Sequence, residues 1–368
     1  MALVITASEA WAQCKSVVGA QNIAALKQQA LRGNAVAQCS LGAMYEKGDG
    51  VPNDYTQAAL WLRKAAEQGN MEAQDFLGYL YFSGQGVPKD DAQAAMWYRK
   101  AAEQGDADAQ SRLGFRYLED RDYAQAAAWL RKSAEQGEAL AQDEMGALYF
   151  YGQGVPQDYT QAATWYRRAA AQGDSLAQYF LGNLYDKGQG VVQDYAQAAF
   201  WYRKVAEHGG VGSAEAQSAL GEMYGFGQGV PRDVAQAAYW WRKAAEQGEA
   251  SAQCALGVAY ELGLGVSQDY AQAALWYRKA AEQRVPGCQV SLGTMYYKGK
   301  GVPQDYAEAY FWYHLAAASE PNDFDTQQVA HLRDEAATHL APADLFREQE
   351  RARKWFDTRF EPHQAKPQ

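Results

Sequence analysis

Residues Asn34 to Gly69, NAVAQCSLGAMYEKGDGVPNDYTQAALWLRKAAEQG, decide the fold. Ala37, Leu41, Met44 and Tyr45 fall at i, i+4, i+7 and i+8, one apolar side of a 3.6-residue period. Gly42 lies inside that pattern, where glycine costs about 1 kcal/mol against alanine, so a close neighbour is expected over it. Gly48-Asp49-Gly50-Val51-Pro52 breaks the helix. Asp54 restarts it, and Gln57 three residues later gives the spacing of a capping box. Ala58, Trp61, Leu62 and Ala65 form the stripe of the second helix. Arg63 and Lys64 fall late in it, where positive charge complements the helix dipole, and Gly69 ends it as a left-handed cap.

The same pattern returns along the chain. [LM]-G-x-x-Y recurs at Gly42, Gly78, Gly114, Gly146, Gly182, Gly221, Gly257 and Gly293, with steps of 36, 36, 32, 36, 39, 36 and 36 residues. Trp61, Trp97, Trp129, Trp165, Trp201, Trp240, Trp276 and Trp312 keep the same beat. The capping spacing returns at Asp90, Asp122, Asp158, Asp194, Asp233, Asp269 and Asp305. One helical hairpin cannot bury its own apolar face, so neighbouring hairpins must stack. The prediction is an all-α solenoid of eight helix–turn–helix repeats; the period-two alternation of strands is absent. The size limit of a single globular core therefore does not apply to the 368 residues.

Outward from the repeats, the chain divides into an entry segment at 1–33, eight repeats at 34–320, capping helices at 321–360 and a tail at 361–368 expected to be disordered. Asn22 to Gly33 resembles a worn second helix on which the first repeat can pack. Three places depart from the pattern. The third repeat lacks its Gly-rich turn, running from Tyr117 straight to Asp122. The junction His208 to Ser213 is three residues long in excess, and Arg284-Val285-Pro286-Gly287 stands where other repeats end in E-Q-G. Pro342 opens a second C-terminal pattern whose dense charges suit a solvated outer face.

Apolar residues make up 48% of the chain and aromatics 13%, too rich for disorder. A net charge of −10 argues against nucleic acid as the main partner. No stretch approaches the roughly 18 apolar residues of a membrane span.

The [LM]-G-x-x-Y, G-x-G-V and A-x-x-W-[YLW] blocks resemble the Sel1-like repeat (SLR), a relative of the tetratricopeptide repeat with a longer, glycine-richer turn. The resemblance covers about four fifths of the chain. It implies a right-handed superhelical solenoid and a non-catalytic scaffold or adaptor that binds another protein on its concave face. Many bacterial members are exported. Some act as host-interaction factors or as immunity proteins against toxic effectors, the sharper alternative here, with an envelope protein as another partner. A hydrolase acting on cell-wall or lactam substrates is the remaining reading. It requires a catalytic dyad that these residues do not supply.

Residues 1–12 end in an A-x-A pattern like the tail of a secretory signal, yet lack a charged start. With the family habit this points to a periplasmic or otherwise exported protein, with the cytoplasm as the alternative. Cys39 and Cys254 share one slot in the first and seventh repeats, and Cys288 replaces the small alanine of A-Q. They read as buried small residues, while Cys14 stands near enough in sequence to Cys39 to leave a disulfide open there.

The G-x-G turns follow no strand and carry no trailing Gly-Lys-Ser/Thr, so they are turns and not phosphate cradles. His331 and His339 lie eight residues apart, unlike an i, i+4 ligand pair. No C-x-x-C and no G-x-S-x-G occurs, and the repeated aspartates read as caps. No catalytic residue, metal ligand or cofactor is therefore expected. Candidate partner-binding positions lie on the first helices, two before and two after the Leu of L-G. They are Asp75, Tyr79, Phe115, Asp143, Tyr179, Asn183 and Glu222, with Arg112 and Arg116 beside them. Exposed aromatics flanked by arginine have the composition of interface hot spots; packing between repeats is the competing use of these slots.

Overall fold

The computed structural model describes residues 23–318 and 324–357. They form helices joined by short turns, with no strand among the described residues. In chain order these are α1 (Ile23–Leu31), α2 (Ala35–Lys47), α3 (Tyr55–Glu67), α4 (Met71–Ser83), α5 (Asp91–Glu103), α6 (Ala107–Glu119) and α7 (Tyr123–Glu135). There follow α8 (Ala139–Tyr151), α9 (Tyr159–Ala171), α10 (Ser175–Lys187), α11 (Tyr195–His208), α12 (Ser213–Phe226) and α13 (Val234–Glu246). The last are α14 (Ala250–Leu262), α15 (Tyr270–Glu282), α16 (Pro286–Lys298), α17 (Tyr306–Ala317), α18 (Phe324–Ala337) and α19 (Pro342–Asp357). The fold is an α-solenoid of paired helices. Two compact units result, Met1–Ala177 with Gln189–Val191, and Gln178–Gly188 with Val192–Gln368. In the first, each helix from α1 to α9 packs on the next; in the second, α11 to α18 do the same and α19 lies against α17.

Each recurring residue has a physical task. A Cβ on Gly78 would come 2.7 Å from the Tyr98 ring, and one on Gly146 2.6 Å from the Tyr166 ring. The mid-helix glycines thus seat the residue that follows the tryptophan of the paired helix. Gly84 closes α4 at φ 72°, and a Cβ on Gly86, two residues on, would meet the Tyr55 carbonyl of the previous repeat at 2.0 Å. That contact explains why the turn needs its second glycine. Asp90 caps α5, its Oδ1 accepting from Ala92 N at 3.0 Å and Gln93 N at 2.9 Å. The Asp90 N–H donates instead to the Tyr81 carbonyl at 3.0 Å, so the sequence's capping box forms through its aspartate.

The cores are serial. One joins Ala59, Leu62, Ala65 and Ala66 of α3 to Ala73, Phe76, Leu77 and Leu80 of α4, with Trp97 beyond. Six of the beat tryptophans are buried, Trp61, Trp97, Trp165, Trp240, Trp276 and Trp312; Trp129 and Trp201 are half-buried. Between repeats runs a glutamine ladder. Gln74 Nε2 donates to the Ala66 carbonyl at 3.0 Å, and its Oε1 accepts from Gln104 Nε2 at 2.6 Å. The same exchange joins Gln142 to Ala134 and Gln172. In the second unit it joins Gln253 to Ala245 and Gln283. The A-Q and E-Q-G blocks are the two sides of this ladder.

The cysteine reading is corrected at one pair. Cys254 of α14 and Cys288 of α16 form a disulfide with Cα atoms 5.9 Å apart. The slot before L-G in one repeat faces the alanine of A-Q in the next, so two separate small-residue substitutions meet. Cys39 is disulfide-bonded as well; its partner, like Cys14 itself, lies outside the described residues. The readings of residues 1–12 and of the tail at 361–368 also lie outside them.

The departures from the pattern find local causes. Arg121, in the shortened turn between α6 and α7, takes φ 60°. Arg284 takes φ 68° in the slot that glycine fills at Gly69 or Gly105, and its side chain reaches α19. It donates to the Trp355 carbonyl at 3.0 Å and lies 5.7 Å from the centre of the Trp355 ring. The α19 charges are not all solvated. Glu348 is buried, and Arg351 bridges Glu348 and Glu308 at 3.0 and 2.7 Å while lying 3.7 Å over the Phe311 ring.

Candidate functional site

The second helices commit their charges to packing. Arg99 Nη2 donates to Tyr117 OH at 2.6 Å and Arg131 Nη2 to Tyr149 OH at 2.7 Å. In the second unit Arg203 reaches Tyr224 at 2.6 Å and Arg242 reaches Tyr260 at 2.9 Å. The next residue covers the tryptophan: Lys100 sits 4.4 Å from the Trp97 ring centre, Lys132 4.1 Å from Trp129 and Lys279 4.1 Å from Trp276. These basic pairs, read in the sequence as complements to the helix dipole, also bind the tyrosine of the following L-G-x-x-Y and shield the indole. Bases outnumber acids on the second helices, whereas acids outnumber bases on the first.

On the first helices the slot after L-G holds seven residue types in eight repeats, only alanine recurring, and stays at the surface in nearly all. Tyr79, Phe115, Ala147, Asn183 and Thr294 are half-buried, Glu222 and Val258 exposed, and Ala43 alone buried. Within the first unit, Tyr79 packs beside Tyr98 and Leu113, and Phe115 beside Leu130 and Met145. Both are anchored at one edge and open at the other. In the second unit, Tyr179 lies 5.8 Å from Tyr202 at a tilt of 42°. Partial desolvation of its inner edge raises the Glu222 carboxyl above its ordinary range, with Asp186 and Glu249 adding to the rise.

The slot before L-G is deeper. Asp75 is buried and ion-paired with Arg112, whose guanidinium lies 5.5 Å from the Tyr98 ring centre. Burial opposes the Arg112 charge, yet Asp75 and Tyr98 raise its pKa above the ordinary value. These two candidates therefore satisfy one another. Arg116 is exposed and pairs loosely with Glu119 and Asp120 along its own helix, at 3.8 and 3.5 Å. Asp143 is buried at 6% exposure, and no donor reaches its Oδ1. Burial pushes its carboxyl up to about 8, with Asp174 and Glu144 adding to the rise. Among the described residues no three His, Cys, Asp or Glu side chains come together to hold a metal ion. No described helix is long and apolar enough to cross a membrane.

Stacked helical hairpins with this constant packing and this variable face define the α-solenoid class of repeat proteins. The Sel1 repeat matches eight times, at 35–70, 72–106, 107–138, 139–174, 175–210, 214–249, 250–285 and 286–320, and the chain belongs to the Sel1 repeat family. Proteins of this family are generally interaction scaffolds. Two solved structures are similar over most of their length. A Sel1 repeat protein from Oxalobacter formigenes is 33% identical over 88% of this chain and 92% of its own, with a TM-score of 0.60. A protective antigen of uropathogenic Escherichia coli with an SLR fold is 30% identical over 95% and 99%, with a TM-score of 0.56. An immunity protein from Pseudomonas aeruginosa is 25% identical over 58% and 78%, with a TM-score of 0.33, too low to bear on function. No curated protein sequence matches the chain.

Proposed function

We propose that this protein is a non-catalytic interaction scaffold that receives a protein partner on the first-helix face of its repeats. The observation that carries the reading is the slot after L-G: constant packing on both sides, and seven residue types across eight repeats, at the surface in all but the first. Packing alone would favour one residue there, as it does at the glycine before it. Tyr79, Phe115 and Tyr179 are the anchors, half-buried aromatics that lose little freedom on binding. Asn183, Glu222 and Arg116 supply polar contacts. The surplus of acids on the first helices favours a basic partner surface.

The Cys254–Cys288 disulfide supports an extra-cytoplasmic location, because such bonds persist in oxidising compartments. The test is capture of partners from the native cell on the immobilised chain, repeated with Tyr79→Ala, Phe115→Ala and Tyr179→Ala combined. Partners should be lost from a variant that still folds, its melting temperature lowered only by the lost packing of three half-buried rings. Retention of the same partners by the triple variant contradicts the reading. A toxic effector among them assigns the immunity role, and an envelope protein the adaptor role.

A further inference from the structure

The chain holds one acidic constellation twice, once with its cation and once without. Asp75 of α4 and Asp106, the N-cap of α6, stand 31 residues apart. Asp143 of α8 and Asp174, whose Oδ1 accepts from Ala177 N at 2.8 Å, stand 31 apart as well. A tyrosine fills the same repeat position in both, Tyr98 under Gly78 and Tyr166 under Gly146. In the first copy Arg112 enters among the carboxylates, pairs with Asp75 and lies over the Tyr98 ring, and both charged side chains are at least nine-tenths buried. In the second copy the repeat position of Arg112 is Phe180. Glu144 adds a further carboxylate there, and Asp174 and Glu144 both raise the Asp143 carboxyl.

A buried carboxylate with an unmet oxygen forfeits the hydration it had in the unfolded chain. It gains correspondingly from a donor brought to it. The Asp75 copy shows which donor these positions accept, a planar guanidinium laid over a tyrosine ring. A metal ion does not fit, since the described carboxylates do not converge as a shell. We propose that Asp143, with Glu144 and Asp174 at its rim, is a receptor for an arginine side chain presented by the partner protein. This rests on the reading that the first-helix face receives a protein, and it names the chemistry of the contact.

The probe is the peptide acetyl-Gly-Arg-Gly-amide, titrated into the full chain by NMR beside its citrulline analogue, which keeps the shape without the charge. The arginine peptide should bind saturably, and Asp143→Asn should weaken it by about tenfold or more. Glu144→Gln, at the rim, provides a second variant should the first fold poorly, with a smaller loss in the same direction. Equal binding of the citrulline peptide, or binding unchanged in every folded variant, overturns the inference. Partner capture that needs Tyr79, Phe115 and Tyr179 but ignores Asp143→Asn overturns it too, and leaves the proposed function standing. Capture indifferent to the three aromatics overturns the proposed function itself, whatever the peptide does.

Discussion

At the residue scale, small groups hold the repeats in register. The Cβ of Gly146→Ala would sit 2.6 Å from the Tyr166 ring, backed by the paired helix. Overpacking of this kind should cost about 1–3 kcal/mol, read as a lower urea midpoint at unchanged slope. Gln142→Leu leaves the Ala134 carbonyl without its side-chain donor and Gln172 with the Gly137 carbonyl but without its side-chain acceptor. It should cost about 1–3 kcal/mol in the same assay. Asp143 makes a signed prediction in pH. Its folded carboxyl titrates near about 8 against 3.8 ordinarily, so across that window the folded chain holds a proton the unfolded chain has lost. Stability therefore falls as pH rises from about 4 towards 8. Asp143→Asn should flatten that fall and raise the urea midpoint at pH 8; an unchanged profile contradicts the assignment.

At the element scale, helix boundaries were legible because their signals are local. Gly48 at φ 75° ends α2, and Asp54 at the foot of α3 accepts two backbone N–H groups. Long-range contacts were not. The Asp75–Arg112 pair spans 37 residues, and the Cys254–Cys288 bond 34. Neither follows from one repeat's pattern, because each joins different slots of consecutive repeats. Knowing that the slot before L-G faces the next repeat's A-Q alanine makes the disulfide readable; that register is a property of the packing. The candidate face was legible in part: Tyr79, Phe115 and Glu222 lie at the surface, whereas Asp75 and Arg112 turned to each other.

Arg284 is the departure with an element-scale consequence. Its left-handed backbone costs about 1–2 kcal/mol relative to glycine, and its side chain holds α19 through Trp355. Arg284→Ala keeps the strain and removes that hold. Amide exchange should quicken across α19 while α15, which ends beside Arg284, keeps its protection. Equal loss in both helices contradicts a role confined to docking.

At the scale of the whole molecule, serial cores make stability a sum over neighbours. The Cys254–Cys288 bond closes a 34-residue stretch of the second compact unit, worth about 3–4 kcal/mol in chain entropy. Replacing both cysteines by alanine, with Cys14 and Cys39 intact, should lower the unfolding midpoint of that unit and leave the first unit's nearly unchanged. A uniform shift of both contradicts nearest-neighbour coupling. Because the second helices spend their arginines and lysines on tyrosine and tryptophan, the first-helix face is left to vary. The most direct measurement of that claim is hydrogen exchange of the full chain with and without a captured partner. New protection is expected on α4, α6, α8, α10 and α12. Protection confined to α3, α5, α11 and α13, with those first helices unchanged, contradicts it.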